Sequence, residues 1–295
     1  KKAVKGLIFR VVQYRCLHDK AMRIAEGRLS GKGVIAVPRF LADRALNPVN
    51  HRPNERCPIC QATAADVVHQ DRRREYLFCR NCKLIFVPDI YFLSAEEEKK
   101  RYDLHVNDPQ DSRYRRFLGR LFHPMERILP SGSRGLDFGS GPGPTLSIMF
   151  EEAGHSVAVF DPFYARNPKV FEEQYDFITA TEVLEHIQRP RDELRRIWDC
   201  LKPGGWFGVM TKLVLSPDRF SRWHYKEDPT HLRFFSRATV RWMADRWGAA
   251  LAFVAADTFL FHKRSKSPLG SPSPDPDPDG AKIGESRGLQ PVGHR

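Results

Sequence analysis

No run of about 18 apolar residues occurs in the 295-residue sequence, so neither a membrane-crossing helix nor a secretory h-region is readable. Arg10 breaks the most apolar early stretch, residues 6–12, and Arg15 follows closely. These absences point to the cytoplasm. Cysteine is also too sparse for a disulfide framework. Of six cysteines, Cys16 and Cys200 stand alone and read as ordinary thiols, whereas Cys57, Cys60, Cys79 and Cys82 form two Cys-x-x-Cys pairs. That pattern suits a metal site in a reducing compartment.

Net charge is +12, but it is not spread along the chain. Residues 1–56 carry 13 Lys/Arg against 4 Asp/Glu, which is +9 and leaves +3 for the remainder. A basic leader suits nucleic acid or an anionic surface. This one lacks the interleaved aromatic residues that single-strand binding needs. The sequence opens on Lys1 rather than Met, which leaves residues 1–50 open as a fragment, a processed product or a leader translated from an upstream start.

Five segments follow from composition: a basic leader (1–50), a turn-rich cysteine module (51–92), a helical linker or lid (93–133), an α/β domain (134–264) and a disordered tail (265–295). The tail is mainly Pro, Ser, Asp and Gly and cannot bury a core. In the lid, Arg and Lys alternate with Tyr102, Tyr114, Phe117, Leu118, Leu121 and Phe122, placing it where it could cover a site mouth. From Arg134 strands alternate with helices, the pattern of a mostly parallel sheet covered on its faces. Apolar runs at 249–255 and 258–262 suggest a closing antiparallel pair.

The two cysteine pairs are 18 residues apart, the arrangement of two knuckles giving zinc four tetrahedral thiolates. The alternatives are a redox dithiol, which needs only one pair, and unrelated thiols. Such a closed site performs no chemistry and serves structure.

After the strand Gly135-Leu136-Asp137-Phe138 comes the loop Gly139-Ser140-Gly141-Pro142-Gly143-Pro144. A dinucleotide fingerprint needs G-x-G-x-x-G; here the third glycine comes one position early and a proline stands where the last should be, which disfavours NAD. Asp137 would repel a pyrophosphate and suits a cationic amino group. The next strand ends in Asp161-Pro162, 18 residues beyond Gly143, and a carboxylate there can accept from both hydroxyls of a ribose.

At these residues the chain resembles the class I S-adenosylmethionine-dependent methyltransferases. The resemblance spans roughly 134–212. It rests on the run from Leu136 to Gly143, on Asp161, on Tyr175-Asp176-Phe177-Ile178 leading into Glu182-Val183-Leu184-Glu185-His186, and on Leu201-Lys202-Pro203-Gly204-Gly205. It implies a Rossmann-like, doubly wound, mostly parallel sheet. It also implies that Asp137, Gly139, Ser140, Gly141 and Gly143 hold the methionine part of S-adenosylmethionine, Asp161 and Pro162 the ribose, and Thr181 and Glu182 the pocket floor. Only fifteen residues separate Asp161 from Asp176, so the usual third strand or its helix is shortened or lost, and adenine contacts are not assigned.

The run Trp223-His224-Tyr225-Lys226-Glu227-Asp228-Pro229-Thr230-His231 follows the strand ending near Thr211 and emerges beside the carboxyl ends of the sheet. His224, Tyr225, Asp228, His231 and, from the earlier motif, His186 are the catalytic candidates, able to take a proton or align a nucleophile. The plainer alternative makes His231 a backbone partner, Phe234 and Phe235 core, and Ser236 a helix cap. A metal bound through His224, Asp228 and His231 is a third possibility. The reading is methyl transfer to a small molecule. The rivals are an RNA methyltransferase using the cysteine module and basic leader, and a non-catalytic scaffold that retains the cofactor fold.

Overall fold

The computed structural model describes residues 55–104 and 107–265. The basic leader and the tail beyond Ser265 lie outside the described residues.

The cysteine region comes first. Strands β1 (Ala65–Gln70), β2 (Glu75–Cys79) and β3 (Ile85–Phe86) form an antiparallel meander. Two helices follow. In α1 (Ala95–Tyr102), Ser94 and Glu97 form a reciprocal capping box that satisfies two otherwise orphaned amides. In α2 (Ser112–Glu126), Asp111 caps the start, and Leu118, Leu121 and Met125 lie buried at helical spacing along one face.

The α/β part then runs β4 (Arg134–Phe138), α3 (Thr145–Glu152), β5 (Ser156–Phe160), β6 (Tyr175–Thr181), α4 (Pro190–Cys200) and β7 (Leu201–Met210). Next come the single turn α5 (Pro217–Phe220), β8 (Arg233–Phe234), α6 (Arg237–Trp247), β9 (Ala250–Phe253) and β10 (Thr258–His262). Six strands form one sheet in the order β5-β4-β6-β7-β10-β9. β4 lies parallel to β5 and β6, and β6 parallel to β7, while β10 is antiparallel to both β7 and β9. This is the doubly wound, mostly parallel sheet that the resemblance implies, its parallel pairing also implied by the alternation of strands with helices. Asp137 is the single carboxylate among the buried positions of β4, between Leu136 and Phe138.

Between β5 and β6 the chain makes only a 3-10 turn at Pro168–Glu172, leaving β5 at the sheet edge. A crossover helix and a further parallel strand need more residues than the gap contains. The ladder of β7 reaches back to Leu201, opposite Tyr175, with a register irregularity before Phe177. Lys202-Pro203-Gly204-Gly205, which reads as a turn into the strand, therefore lies inside it.

The cysteine meander does not stand alone. β8 pairs antiparallel with β3, Ile85 opposite Phe234, giving a second sheet in the order β1-β2-β3-β8. Phe234 packs edge-on against Phe220 and Tyr76, with ring centroids 5.0 and 5.9 Å away. Its neighbour Phe235 belongs to the core under the large sheet. Ser236 caps α6 through a reciprocal bond with Thr239, and Gly248 ends that helix in the left-handed conformation. No helix among the described residues is long and apolar enough to cross a membrane.

Phe234→Ala removes a fully buried ring from the apolar cluster on the second sheet, and is expected to cost about 3–5 kcal/mol of unfolding free energy, read by urea denaturation. A loss below about 1 kcal/mol would show that this cluster contributes little to stability.

Candidate functional site

The loop after β4 turns on two glycines with positive φ, Gly139 (+75°) and Gly141 (+67°). At Gly139 a β-carbon would also sit 2.4 Å from Cγ2 of Val183, so both conformation and space require glycine. The Gly139 amide donates to the Phe160 carbonyl at 2.7 Å, binding the loop to the end of β5. Asp161 completes the frame. Its Oδ2 accepts from the Gly141 amide at 3.0 Å, and its Oδ1 from the amides of Phe163 and Tyr164 at 2.8 and 3.1 Å.

Asp137 lies behind the loop, buried, accepting from the Thr179 hydroxyl at 2.8 Å. Burial pushes its carboxyl up to about 6, with the Asp161 charge adding to the rise and the Thr179 bond opposing it.

These groups face a cavity of about 530 Å³, a size suited to a bound small molecule. Asp137, Gly139, Ser140, Gly141, Gly143, Asp161, Pro162, Thr181 and Glu182 all line it. The opposite wall comes from α1 (Ala95, Glu98, Tyr102), Asn107 and α2 (Tyr114, Phe117, Leu118), so the segment read as a lid lies against the loop. Asp228, His231 and His186 line it as well.

The structure separates the run 224–231 into two environments. His224 is exposed, with its Nε2 3.4 Å from Lys212 Nζ, and does not line the cavity. Tyr225 is buried and also absent from the lining; its hydroxyl donates to Oε1 of Glu185 and lies 3.4 Å from the Thr211 hydroxyl. A short 3-10 helix, His224–Glu227, turns these side chains away from the cavity that Asp228 and His231 face. His231 Nδ1 donates to the Tyr225 carbonyl at 2.6 Å, and His186 Nδ1 to the Thr230 carbonyl at 3.1 Å. The two imidazole centroids are 4.7 Å apart. Burial pushes the Asp228 carboxyl up, but the neighbouring His231 and two hydrogen bonds from Thr230 outweigh it and hold the group at about 2.

Three groups in or behind this site went unassigned in the sequence. Glu185 is fully buried at the end of the Glu182–His186 run, close to both imidazoles. Tyr102 of α1 sets its ring edge-on to His186 at 5.4 Å. Arg74, the last of three consecutive arginines between the cysteine pairs, is buried. Its guanidinium donates to the carbonyls of Lys226 (2.7 Å), Asp228 (2.8 Å) and Pro229 (3.0 Å) and to the Tyr76 hydroxyl (3.0 Å). The Glu-x-x-Glu-His spacing was a signal for Glu185; nothing local distinguishes Arg74 from its neighbours.

The four cysteines are brought together. One sulfur from each lies within 4.8 Å of the others, with Cys57–Cys82 at 3.4 Å and Cys60–Cys79 at 3.5 Å. The two knuckles repeat one conformation. Each ends in a left-handed residue, Gln61 or Lys83, whose amide donates to the carbonyl of the first cysteine.

Residues 110–252 match the family model of a methyltransferase domain, a range that takes in α2. No curated protein matches it. Among solved structures it is similar to a SAM-dependent methyltransferase from Thermotoga maritima, with 16% identity over 58% of this chain and 96% of that one and a TM-score of 0.38. It is also similar to the 1,6-didemethyltoxoflavin-N1-methyltransferase of Burkholderia thailandensis, with 16% identity over 67% of this chain and 98% of that one and a TM-score of 0.40.

The raised Asp137 carboxyl gives a pH signature. A folded-state value of about 6 against an ordinary 3.8 means that the folded protein holds this proton more tightly than the unfolded chain, so the group's contribution to stability declines as pH rises from about 4 to about 6, by about 3 kcal/mol in all. Urea unfolding of wild type and Asp137→Asn across pH 4–7 is expected to show the wild type losing stability relative to the variant up to about pH 6 and running parallel above it. Parallel curves throughout would contradict the raised value.

Proposed function

We propose that the chain transfers a methyl group from S-adenosylmethionine to a small-molecule acceptor. The observation that carries the proposal is the convergence of Asp137, the glycine loop and Asp161 on one cavity at the carboxyl ends of parallel strands, within the matched methyltransferase domain. Asp137 and the loop amides suit the amino and carboxylate groups of a methionine moiety. Asp161 and Pro162 adjoin the ribose, and Thr181 and Glu182 form the floor. A buried carboxylate titrating near 6 gains from a cationic amino group, which supplies the countercharge that burial denies it.

Bound S-adenosylmethionine supplies a methyl on a sulfonium, already a good leaving group. The protein's own contribution is orientation. Tyr102, Tyr114 and Phe117 offer aromatic surface for the acceptor, and Asp228, His231 and His186 lie where a proton can be accepted or a nucleophile aligned. An uncharged or cationic small molecule is favoured over a phosphodiester chain. The wall carries Glu98, Asp137, Asp161, Glu182, Glu193 and Asp228 against Arg189 and Arg196, and an anionic backbone would meet repulsion there.

Zinc belongs to the four cysteines on the same reading. A tetrahedral site with Zn–S bonds of about 2.3 Å needs sulfurs roughly 3.8 Å apart, near the distances present. The ion's task is structural.

Calorimetric titration of S-adenosylmethionine and S-adenosylhomocysteine into wild type, Asp137→Asn and Asp161→Ala tests the proposal. Wild type is expected to bind in the micromolar range and both variants at least about tenfold more weakly. No binding by folded wild type would overturn the reading.

A further inference from the structure

We propose that Glu185, His186 and His231 form a binding site for a divalent cation at the edge of the cavity, separate from the four cysteines. One donor atom from each residue lies within 4.8 Å of the other two, a spacing that one ion can span. The ligands come from two chain segments, the turn after β6 and the approach to β8, so the tertiary fold assembles the site.

The tautomers supply a second, independent observation. Both Nδ1 atoms face backbone carbonyls, His231 toward Tyr225 and His186 toward Thr230. A carbonyl only accepts, so each Nδ1 carries the proton, and when the ring is neutral Nε2 is the lone-pair nitrogen. Metal-binding histidines are held in this way, one ring nitrogen donating to a carbonyl so that the other coordinates. The carboxylate is oriented similarly, with Oε1 of the fully buried Glu185 accepting from the Tyr225 hydroxyl.

The surroundings favour positive charge. Glu182 and Asp228 line the adjoining cavity. Two imidazole nitrogens and a carboxylate oxygen suit Zn²⁺, Mn²⁺ or Fe²⁺. Three protein ligands leave positions for exogenous groups, and because His186 and His231 line the cavity those positions face it.

On the methyltransferase reading, which this last step requires, the open positions select an acceptor with a hydroxyl. Bound to the cation, the hydroxyl releases its proton to solvent at a lower pH than when free. Its oxygen then forms the bond to the methyl carbon as the S–CH₃ bond breaks, and the electron pair stays on sulfur.

The test uses the full chain with zinc already held by the cysteines. Mn²⁺ is titrated by the loss of the free-ion electron paramagnetic resonance signal, and Zn²⁺ by calorimetry beyond the first equivalent. Wild type is expected to take up one further ion, and His186→Ala and His231→Ala to bind it at least about tenfold more weakly while keeping the cysteine-bound zinc. His231 is buried and its loss could unfold the segment; half-buried His186 keeps the test valid, with melting curves as control. No further equivalent of either ion on folded wild type would overturn the proposal and leave the cluster as a carboxylate–imidazolium group. Binding that survives both replacements would overturn it too, placing the ion on surface carboxylates. The same samples receive S-adenosylhomocysteine: ion uptake without cofactor binding refutes the methyltransferase reading alone, and cofactor binding without ion uptake refutes the cation site alone.

Discussion

One buried guanidinium joins the two halves of this protein. Arg74 leaves the turn between β1 and β2 and spends its donors on three successive-region carbonyls, those of Lys226, Asp228 and Pro229, and on the Tyr76 hydroxyl. The segment it grips has no regular secondary structure beyond a single 3-10 turn, so its course is set from outside. Without the arginine the buried Lys226 carbonyl and the half-buried carbonyls of Asp228 and Pro229 would each lose a donor, at up to roughly 1–3 kcal/mol apiece. Asp228 and His231 face the cavity because this segment is held there, and the pairing of β3 with β8 fixes its downstream end. The cysteine ribbon thereby becomes scaffolding for the site although it carries none of the lining.

Electrostatics organise the cavity by depth. Asp137 lies deepest, with one hydroxyl donor and a carboxyl raised by burial. Asp161 sits nearer the surface and spends both oxygens on backbone amides, which stabilise its charge and tie the glycine loop to β5. Glu185, with its two imidazoles, forms a third centre at the far edge. A wall with this charge balance suits a sulfonium-bearing ligand at one end and a cation at the other, and both preferences follow from placing carboxylates where water is scarce.

The chemistry that the sequence disclosed is the chemistry packed into short runs. Asp137, the glycines and Asp161 are readable because a strand, a tight loop, a helix and a second strand leave a fixed spacing. The missing third strand is readable by counting residues between Asp161 and Asp176. Both Cys-x-x-Cys pairs report themselves. What escaped depends on residues distant in sequence that meet only in the fold. Glu185 and His231 are 46 positions apart, and Arg74 is about 150 positions from the carbonyls it holds. The run from His224 to His231 reads as one cluster, yet the turn inside it sends His224 to solvent and Tyr225 into the protein. Periodicity does not reveal such a split, because the arginine that enforces it comes from another sheet.

The most direct test of this account is hydrogen–deuterium exchange on wild type and Arg74→Ala, comparing amides of residues 226–231 with those of β4 and β6. If the guanidinium positions the segment, exchange at 226–231 should rise at least about tenfold in the variant while β4 and β6 keep their protection. Unchanged protection at 226–231 in a folded variant would contradict the account, and would mean that the segment holds its course without the cysteine sheet.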